Sequence, residues 1–236
     1  MKDEIAVLMA AGMGTRMRPL TEKVPKPLIK VHQVPMIETV INGLRLRGVG
    51  HIYVVVGYLG NQFKYLTDKY SDITIIENNE YLGKNNISSI YAARDVIGHS
   101  DMFICESDLY ISGPDIFQCD LKQSCYYGKM VKGYSADWVF DQDENGRIIR
   151  VGKGGTDVYN MCGISWFNKE DSLTLINSII DAYQKPGHEQ LFWDEVVDRN
   201  LDKLNLTVHP VGNSKIVEID SVKELEAEDP HYAIYN

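Results

Sequence analysis

Apolar residues in the first half of the chain fall in short unbroken runs separated by helical spacings. Ile5–Ala10 is continuous and apolar, the pattern of a strand covered on both faces. Met36, Ile37, Val40, Ile41 and Leu44 recur at helical spacing across Met36–Leu46, and Gly48 stops the pattern. His51–Val56, Ile73–Glu77 and Met102–Glu106 predict three more strands, and Asn61–Tyr70 and Ile87–Ile97 two more helices. Strands alternating with helices at this rhythm predict βαβ units around a mostly parallel sheet.

The second half reads differently. Ser124–Lys132, Asp137–Asp141 and Ile148–Val151 predict strands, and Glu144-Asn145-Gly146 is a hairpin turn signal. Tyr159–Phe167 is another apolar strand. Ser172–Tyr183 and Glu189–Asn200 predict helices, broken at Pro186-Gly187. Leu206–His209 and Ile216–Ile219 predict late strands, and Val222–Glu228 a short helix. There is no internal repeat, no low-complexity tract and no long linker. The expectation is a single α/β domain over residues 1–236, with antiparallel strands added in its second half.

Composition narrows the class. The 236 residues are 44% hydrophobic and 24% charged, which argues against a disordered chain, a collagen or a coiled coil. No apolar run has the length of a membrane span, and Met1-Lys2-Asp3-Glu4-Ile5 leads into a strand without a signal-peptide layout. Cys105, Cys119, Cys125 and Cys162 form no CxxC pair and no metal-ligand spacing. The expectation is a cytoplasmic protein with reduced thiols. The net charge of -9 argues against a nucleic-acid partner. Residues 1–30 carry six basic residues against three acidic ones, which is +3 and leaves -12 on the rest. A local positive field on an acidic protein suggests a small anionic ligand.

The strongest local signal lies in that segment. Ala10-Ala11-Gly12-Met13-Gly14-Thr15-Arg16-Met17-Arg18-Pro19-Leu20-Thr21 follows the first strand, and Pro25-Lys26-Pro27-Leu28 follows it. Small residues let the backbone approach a ligand, and successive N–H groups can cradle phosphate oxygens. Arg16, Arg18 and Lys26 add full charge beside them. A Walker loop requires Gly-Lys-Ser/Thr, but Gly14 is followed by Thr15-Arg16. The dinucleotide fingerprint requires a small residue where Met17 stands, and Pro19, Pro25 and Pro27 forbid the helix it opens.

Two acidic pairs could hold a cation. Glu106 and Asp108 end the strand Met102–Glu106, where ligands of α/β proteins bind. Glu218 and Asp220 end a late strand, with both side chains on one face. Spacing alone leaves solvated strand caps open, and Asp220 could cap the helix that starts at Ser221.

The string Gly-x-Gly-Thr-Arg-x-x-Pro-Leu-Thr with Pro-Lys-x-Leu resembles the signature loop of bacterial nucleotidyltransferases, which activate phosphate esters with a nucleoside triphosphate. The resemblance implies a Rossmann-like mixed sheet flanked by helices and a loop wrapped round the triphosphate, with Ala10, Ala11, Gly12, Met13, Gly14 and Thr15 against the nucleotide. It also implies that Arg16 and Lys26 bind phosphates, and that Asp108 and Asp220, supported by Glu218, hold Mg²⁺. Asn85, Asn86 and Ser88 fall where the family contacts the base, though a turn and helix cap would use the same residues. Sugar-1-phosphate members carry Glu-Lys-Pro and Gly-Ile-Tyr segments. Here Lys153 survives without its flanking Glu and Pro, and Gly163-Ile164-Ser165 replaces the second.

Glu80-Tyr81, Asn85 through Tyr91, the Trp138 segment, Phe192-Trp193-Asp194 and Glu218 through Ser221 together resemble the CTP:phosphocholine cytidylyltransferase family across nearly the whole chain. This resemblance implies CTP and phosphocholine as substrates, and CDP-choline and pyrophosphate as products. A quaternary ammonium is held by aromatic faces and a diffuse negative field. Trp138, Tyr159, Phe192 and Trp193 are the candidates, with Asp137, Asp141 or Asp194 nearby and Lys153 toward the attacking phosphate. Adjacent residues on a helix point about 100° apart, so only one of Phe192 and Trp193 should face the pocket. The alternatives are the same chemistry on 2-aminoethylphosphonate, a sugar-1-phosphate nucleotidyltransferase, and a nucleotide-binding regulatory module without turnover.

Overall fold

A computed structural model describes residues 3–212 and 215–235, so Met1 and Lys2, at the head of the amino-terminal segment read above, lie outside the described residues. In chain order the elements are β1 (Glu4–Ala10), β2 (Lys30–Val31), β3 (Val34–Pro35), α1 (Met36–Arg47), β4 (His51–Val56), α2 (Tyr65–Lys69), β5 (Ile73–Glu77), α3 (Ile87–Ala92), β6 (Asp101–Glu106) and β7 (Leu109–Ile111). There follow β8 (Cys125–Gln142), β9 (Ile148–Phe167), α4 (Lys169–Tyr183), α5 (Trp193–Asp198), β10 (Thr207–Pro210), β11 (Ile216–Glu218) and α6 (Val222–Glu228). The main sheet has seven strands in the order β10-β8-β9-β6-β1-β4-β5. β6, β1, β4 and β5 run parallel, β9 is antiparallel to β6 and to β8, and β10 is parallel to β8. This is the Rossmann-like mixed, mostly parallel sheet expected.

β1 is central, and Ala6, Val7 and Leu8 are fully buried because helices cover both faces. On one face Ile37, Val40, Ile41 and Leu44 of α1 pack with Leu66 and Phe117. On the other, Ile87 and Ile90 of α3 pack with Leu175, Ile176 and Ile179 of α4 and with Trp193. α1 ends at Gly48, whose φ of 88° is the left-handed cap that glycine adopts without a Cβ penalty. Beneath this layer Arg47 donates two hydrogen bonds of 2.7 Å to the Glu4 carboxylate. Removing one member of so buried a pair costs about 3–5 kcal/mol. No helix of the described residues is long and apolar enough to cross a membrane, and all four cysteines are free.

Three expected helices differ, and so do the strands between residues 124 and 167. Asn61–Tyr70 divides into a 3₁₀ turn over Gly60–Phe63 and the short α2, and α3 stops at Ala92 rather than Ile97. The helix expected over Glu189–Asn200 begins only at Trp193, because Leu191 and Phe192 are extended. The four strand pieces expected between residues 124 and 167 are two long strands, β8 and β9. Their pairing shifts register repeatedly, and Gly133, Gly154 and Asp157 have positive φ. Each shift breaks the two-residue alternation, so the sequence pattern shows fragments where the backbone is continuous.

Candidate active site

The loop after β1 is closed on itself by short contacts. Gly14 takes φ 59°, and a Cβ there would lie 2.8 Å from Lys26 Cβ. Thr21 donates from its hydroxyl to the Gly14 carbonyl at 2.9 Å, and Tyr58 donates to the Thr21 carbonyl at 2.9 Å. Thr15–Met17 forms a single 3₁₀ turn in place of a phosphate-loop helix. Met17 is fully buried beside Ile219 and Leu225, which anchors the loop to the late segment of the chain.

Lys26 projects from this loop into a ring of acids. Its ammonium lies 2.6 Å from Asp108 Oδ2 and 2.6 Å from Asp220 Oδ1, and Arg16 Nη1 lies 2.7 Å from Asp220 Oδ2. Asp108 stands just beyond β6. β11 pairs antiparallel with β7, placing Glu218 opposite Leu109, and this pairing carries Asp220 to Asp108 across the length of the chain. Burial opposes the charge on Lys26, but Asp108 and Asp220 outweigh it and hold its pKa above the ordinary value. Burial, then repulsion from Asp108 and Asp220, pushes the Glu218 carboxyl up to about 7. Burial, then Asp108, Glu218 and Asp194, raises Glu106 well above the carboxylate range. Ser221, not Asp220, caps α6, accepting from Glu224 N–H at 3.2 Å.

Among the described residues no three His, Cys, Asp or Glu side chains are grouped to hold a metal ion. The carboxylates nevertheless suit one. Two oxygens from Asp108 and Asp220 already converge on a single positive atom, Lys26 Nζ, and hard oxygen donors of this kind match Mg²⁺.

A cavity of about 400 Å³ opens beside this cluster. Ala10, Ala11, Gly12, Gly14, Thr15, Arg16 and Lys26 line one side, and Asn85, Asn86 and Ser88 the other. Met13 does not line it. Ser88 is buried and satisfied: it donates to the Asn85 carbonyl at 2.8 Å and accepts from Asn78 at 2.9 Å, so it shapes the turn. Asn78, Tyr81 and Lys84 also line the cavity; from sequence Tyr81 entered only as part of the resemblance, and Asn78 and Lys84 carried no role. Asn78 follows β5 directly, so the rule that ligands gather at strand carboxyl ends was the available signal.

A second cavity, of about 930 Å³, lies under β8 and β9. Trp138 and Phe192 meet there edge to face at 5.4 Å. The Lys153 ammonium sits 5.8 Å from the Trp138 ring and 5.7 Å from the Phe192 ring. Asn160 donates to Asp137 Oδ2 at 3.1 Å, and its own Oδ1 is buried without a partner. Lys129 donates to the Ile216 carbonyl and ties β8 to β11 at the base of this cavity. Tyr159 does not line it: its side chain packs toward Gly128 and Val208 in the core. Trp193 is also core, stacked on Tyr126 at 5.8 Å, so only Phe192 of the adjacent aromatics faces the cavity; the cause is not helical geometry, because Phe192 is extended and precedes α5. Asp141 is paired with Arg150. Asp194 is buried, accepts from Tyr126 at 3.1 Å, and is pushed up to about 7 by burial. The two cavities share one wall: Arg16, Glu106, Glu218 and Asp220.

Comparison with known proteins identifies the family. The nucleotidyl transferase family matches residues 5–126. The chain is 54% identical to a 2-aminoethylphosphonate cytidylyltransferase from Lancefieldella rimae, over 96% of this chain and 92% of that one. It is 32% identical to a choline-phosphate cytidylyltransferase from Streptococcus pneumoniae, over 93% of this chain and 94% of that one. A solved structure of CTP:phosphocholine cytidylyltransferase from Streptococcus pneumoniae superposes with a TM-score of 0.88 at 28% identity, covering 100% of both chains.

Proposed function

The chain belongs to the nucleotidyl transferase family, and from that premise we propose that it transfers the cytidylyl group of CTP to 2-aminoethylphosphonate. A phosphonate oxygen attacks the α-phosphorus of CTP in line, the bond from that phosphorus to the β-phosphate oxygen breaks, and pyrophosphate leaves. The observation that carries this reading is the shared wall. One cavity lined by a phosphate-type loop and one lined by polar and aromatic groups meet on Arg16 and Asp220, beside Lys26 and Asp108.

Arg16 and Lys26 bind the triphosphate and stabilise charge gathering on the leaving pyrophosphate. The backbone from Ala10 to Thr15 wraps the phosphates, and Asn85 and Asn86 face the base. Asp108 and Asp220, with Glu218 beside them, would hold Mg²⁺, which when bound supplies neutralisation between the two anionic substrates. The phosphonate is already ionised, so positioning and electrostatics suffice and no general base is needed.

The second cavity separates the acceptors. A primary ammonium donates hydrogen bonds, and Asn160 Oδ1 beside the Asp137 carboxylate offers acceptors of that kind. The faces of Trp138 and Phe192 are already occupied by the protein's own ammonium, Lys153, which disfavours a quaternary group there. This moves the acceptor from the phosphocholine expected from sequence to 2-aminoethylphosphonate, in line with the 54% identical relative. The phosphocholine reading retains the support of the aromatic pair and of the choline-phosphate relative, and needs Lys153 to vacate the rings.

The test is pyrophosphate release with CTP and Mg²⁺, comparing 2-aminoethylphosphonate, phosphocholine and glucose 1-phosphate, with a chelator control. Fastest release with the phosphonate is expected. Faster release with phosphocholine would restore the aromatic-box reading, and nucleotide binding without release from any acceptor would point to a regulatory module.

A further inference from the structure

The two cavities meet at the charged wall, and a second connection runs behind it. After α4 the chain turns at Gly187 and runs extended through Leu191 and Phe192 into α5. The outer end of this segment sets the Phe192 ring against Trp138 in the acceptor cavity. Its inner edge is held by two residues of the nucleotide cavity. Asn85 donates from its backbone N–H to the Glu189 carbonyl at 2.8 Å and from its side chain to the Gln190 carbonyl at 3.2 Å. The Trp193 N–H donates to Asn86 Oδ1 at 3.0 Å. Asn86 thus commits its oxygen to the residue after Phe192, and its amide nitrogen remains for the cavity that it lines.

We propose that Asn86 is a positioning residue that couples the two substrates: a base bound against its amide fixes Asn86 and, through the Trp193 N–H, the placement of Phe192 in the acceptor cavity. This rests on the assignment of the first cavity to the nucleotide and the second to the acceptor. Trp193 is 3% exposed and wedged between Tyr126 and Phe167, so its ring is a fixed pivot. Glu195 accepts the Phe192 N–H at 2.8 Å, so Phe192 and the first turn of α5 move as one piece. CTP then raises the affinity for the acceptor, and by reciprocity the acceptor raises the affinity for CTP.

The experiment compares KM for the acceptor at saturating CTP in the wild type, Asn86→Ala, Asn86→Asp, Phe192→Ala and the Asn86→Ala/Phe192→Ala double variant. Asn86→Ala should raise the acceptor KM about tenfold, the scale of a displaced substrate contact. The double variant should be no worse than Phe192→Ala, because one residue acts through the other. Asn86→Asp keeps an oxygen for the Trp193 N–H and gives up the donor to the base. It should raise the CTP KM and raise the acceptor KM less than Asn86→Ala does, because Phe192 keeps its resting tether while the signal from the base is lost. Equal effects of Ala and Asp confined to CTP, a loss spread over both KM values and kcat, or additive losses in the double variant would each overturn the coupling. Hydrogen exchange over residues 188–194 gives a readout without turnover: CTP should slow it in the wild type and not in Asn86→Ala. A wild type that turns over but shows no such slowing overturns the coupling alone. A wild type that neither releases pyrophosphate nor responds to CTP overturns the cavity assignment beneath it.

Discussion

The two cavities, the first proposed as the nucleotide side and the second as the acceptor side, rest on different kinds of backbone. The nucleotide side is made at the carboxyl ends of parallel strands, Ala10 at the end of β1, Asn78 after β5 and Asp108 after β6. β1 is in uninterrupted register with β4 from Ile5 to Ala10 and with β6 from Glu4 to Met9. The acceptor side is made by β8 and β9, whose register shifts several times between Val131 and Gln142. A regular sheet fixes where charges stand, while bulges re-aim side chains one at a time. On the proposed assignment, the common transfer chemistry lies on the half of the molecule that cannot easily change, and acceptor choice on the half that can.

The sharpest way to break that division is Asp108→Asn. It should lower kcat roughly 10²–10³-fold with every acceptor, because a group aimed at the reacting charges is lost, with little change in melting temperature. Near-normal turnover would remove Asp108 from the transfer machinery. Next, Asp137→Asn should raise KM for 2-aminoethylphosphonate about 10-fold or more, the worth of one hydrogen bond to a charged group, and leave KM for CTP unchanged. A matching rise for CTP would mean that the halves are not separable. A smaller effect is expected from Trp138→Ala. It should shift relative KM against phosphocholine by about 3- to 5-fold, since a ring face matters more to a quaternary than to a primary ammonium. Equal losses for both acceptors would show that the ring only fills space.

The smallest effect on turnover is expected at the joint between the halves. Asp194 lines a small cavity with Glu106, and burial holds its pKa at about 7, far above its unfolded value. The folded protein therefore binds the extra proton between the two pKa values. Stability should fall as pH rises from about 4 to about 7, by at most ~1.4 kcal/mol per pH unit for this group. Denaturant unfolding at pH 5 and pH 8 should show this slope, and Asp194→Asn should flatten it.

The legibility of the chain follows the same division. The loop from Ala10 to Lys26, and the acids at 108, 218 and 220, were readable because small residues, charge and strand ends are local signals. That Lys26 bridges Asp108 and Asp220 was not readable, because it depends on β11 docking against β7. On the acceptor side Trp138 and Phe192, both singled out from sequence, line the second cavity. Tyr159 does not, and the shifting register of β9 hides from the sequence which face a residue occupies. Asn160 carried no signal, because only its placement beside Asp137 gives its unpartnered oxygen meaning.

The pairing of β11 with β7 also sets when Asp220 can join Asp108 at Lys26. Chains emerge from the ribosome amino terminus first, and early segments begin to fold as they appear. Arg16, Lys26 and Asp108 are therefore exposed to the cell before Asp220 has been translated. Until β11 reaches β7, the cluster around Lys26 holds one carboxylate rather than two. On the proposed role of the Asp108–Asp220 pair, a chain whose β11 has not yet docked on β7 would lack half of the site, so activity would wait on that docking.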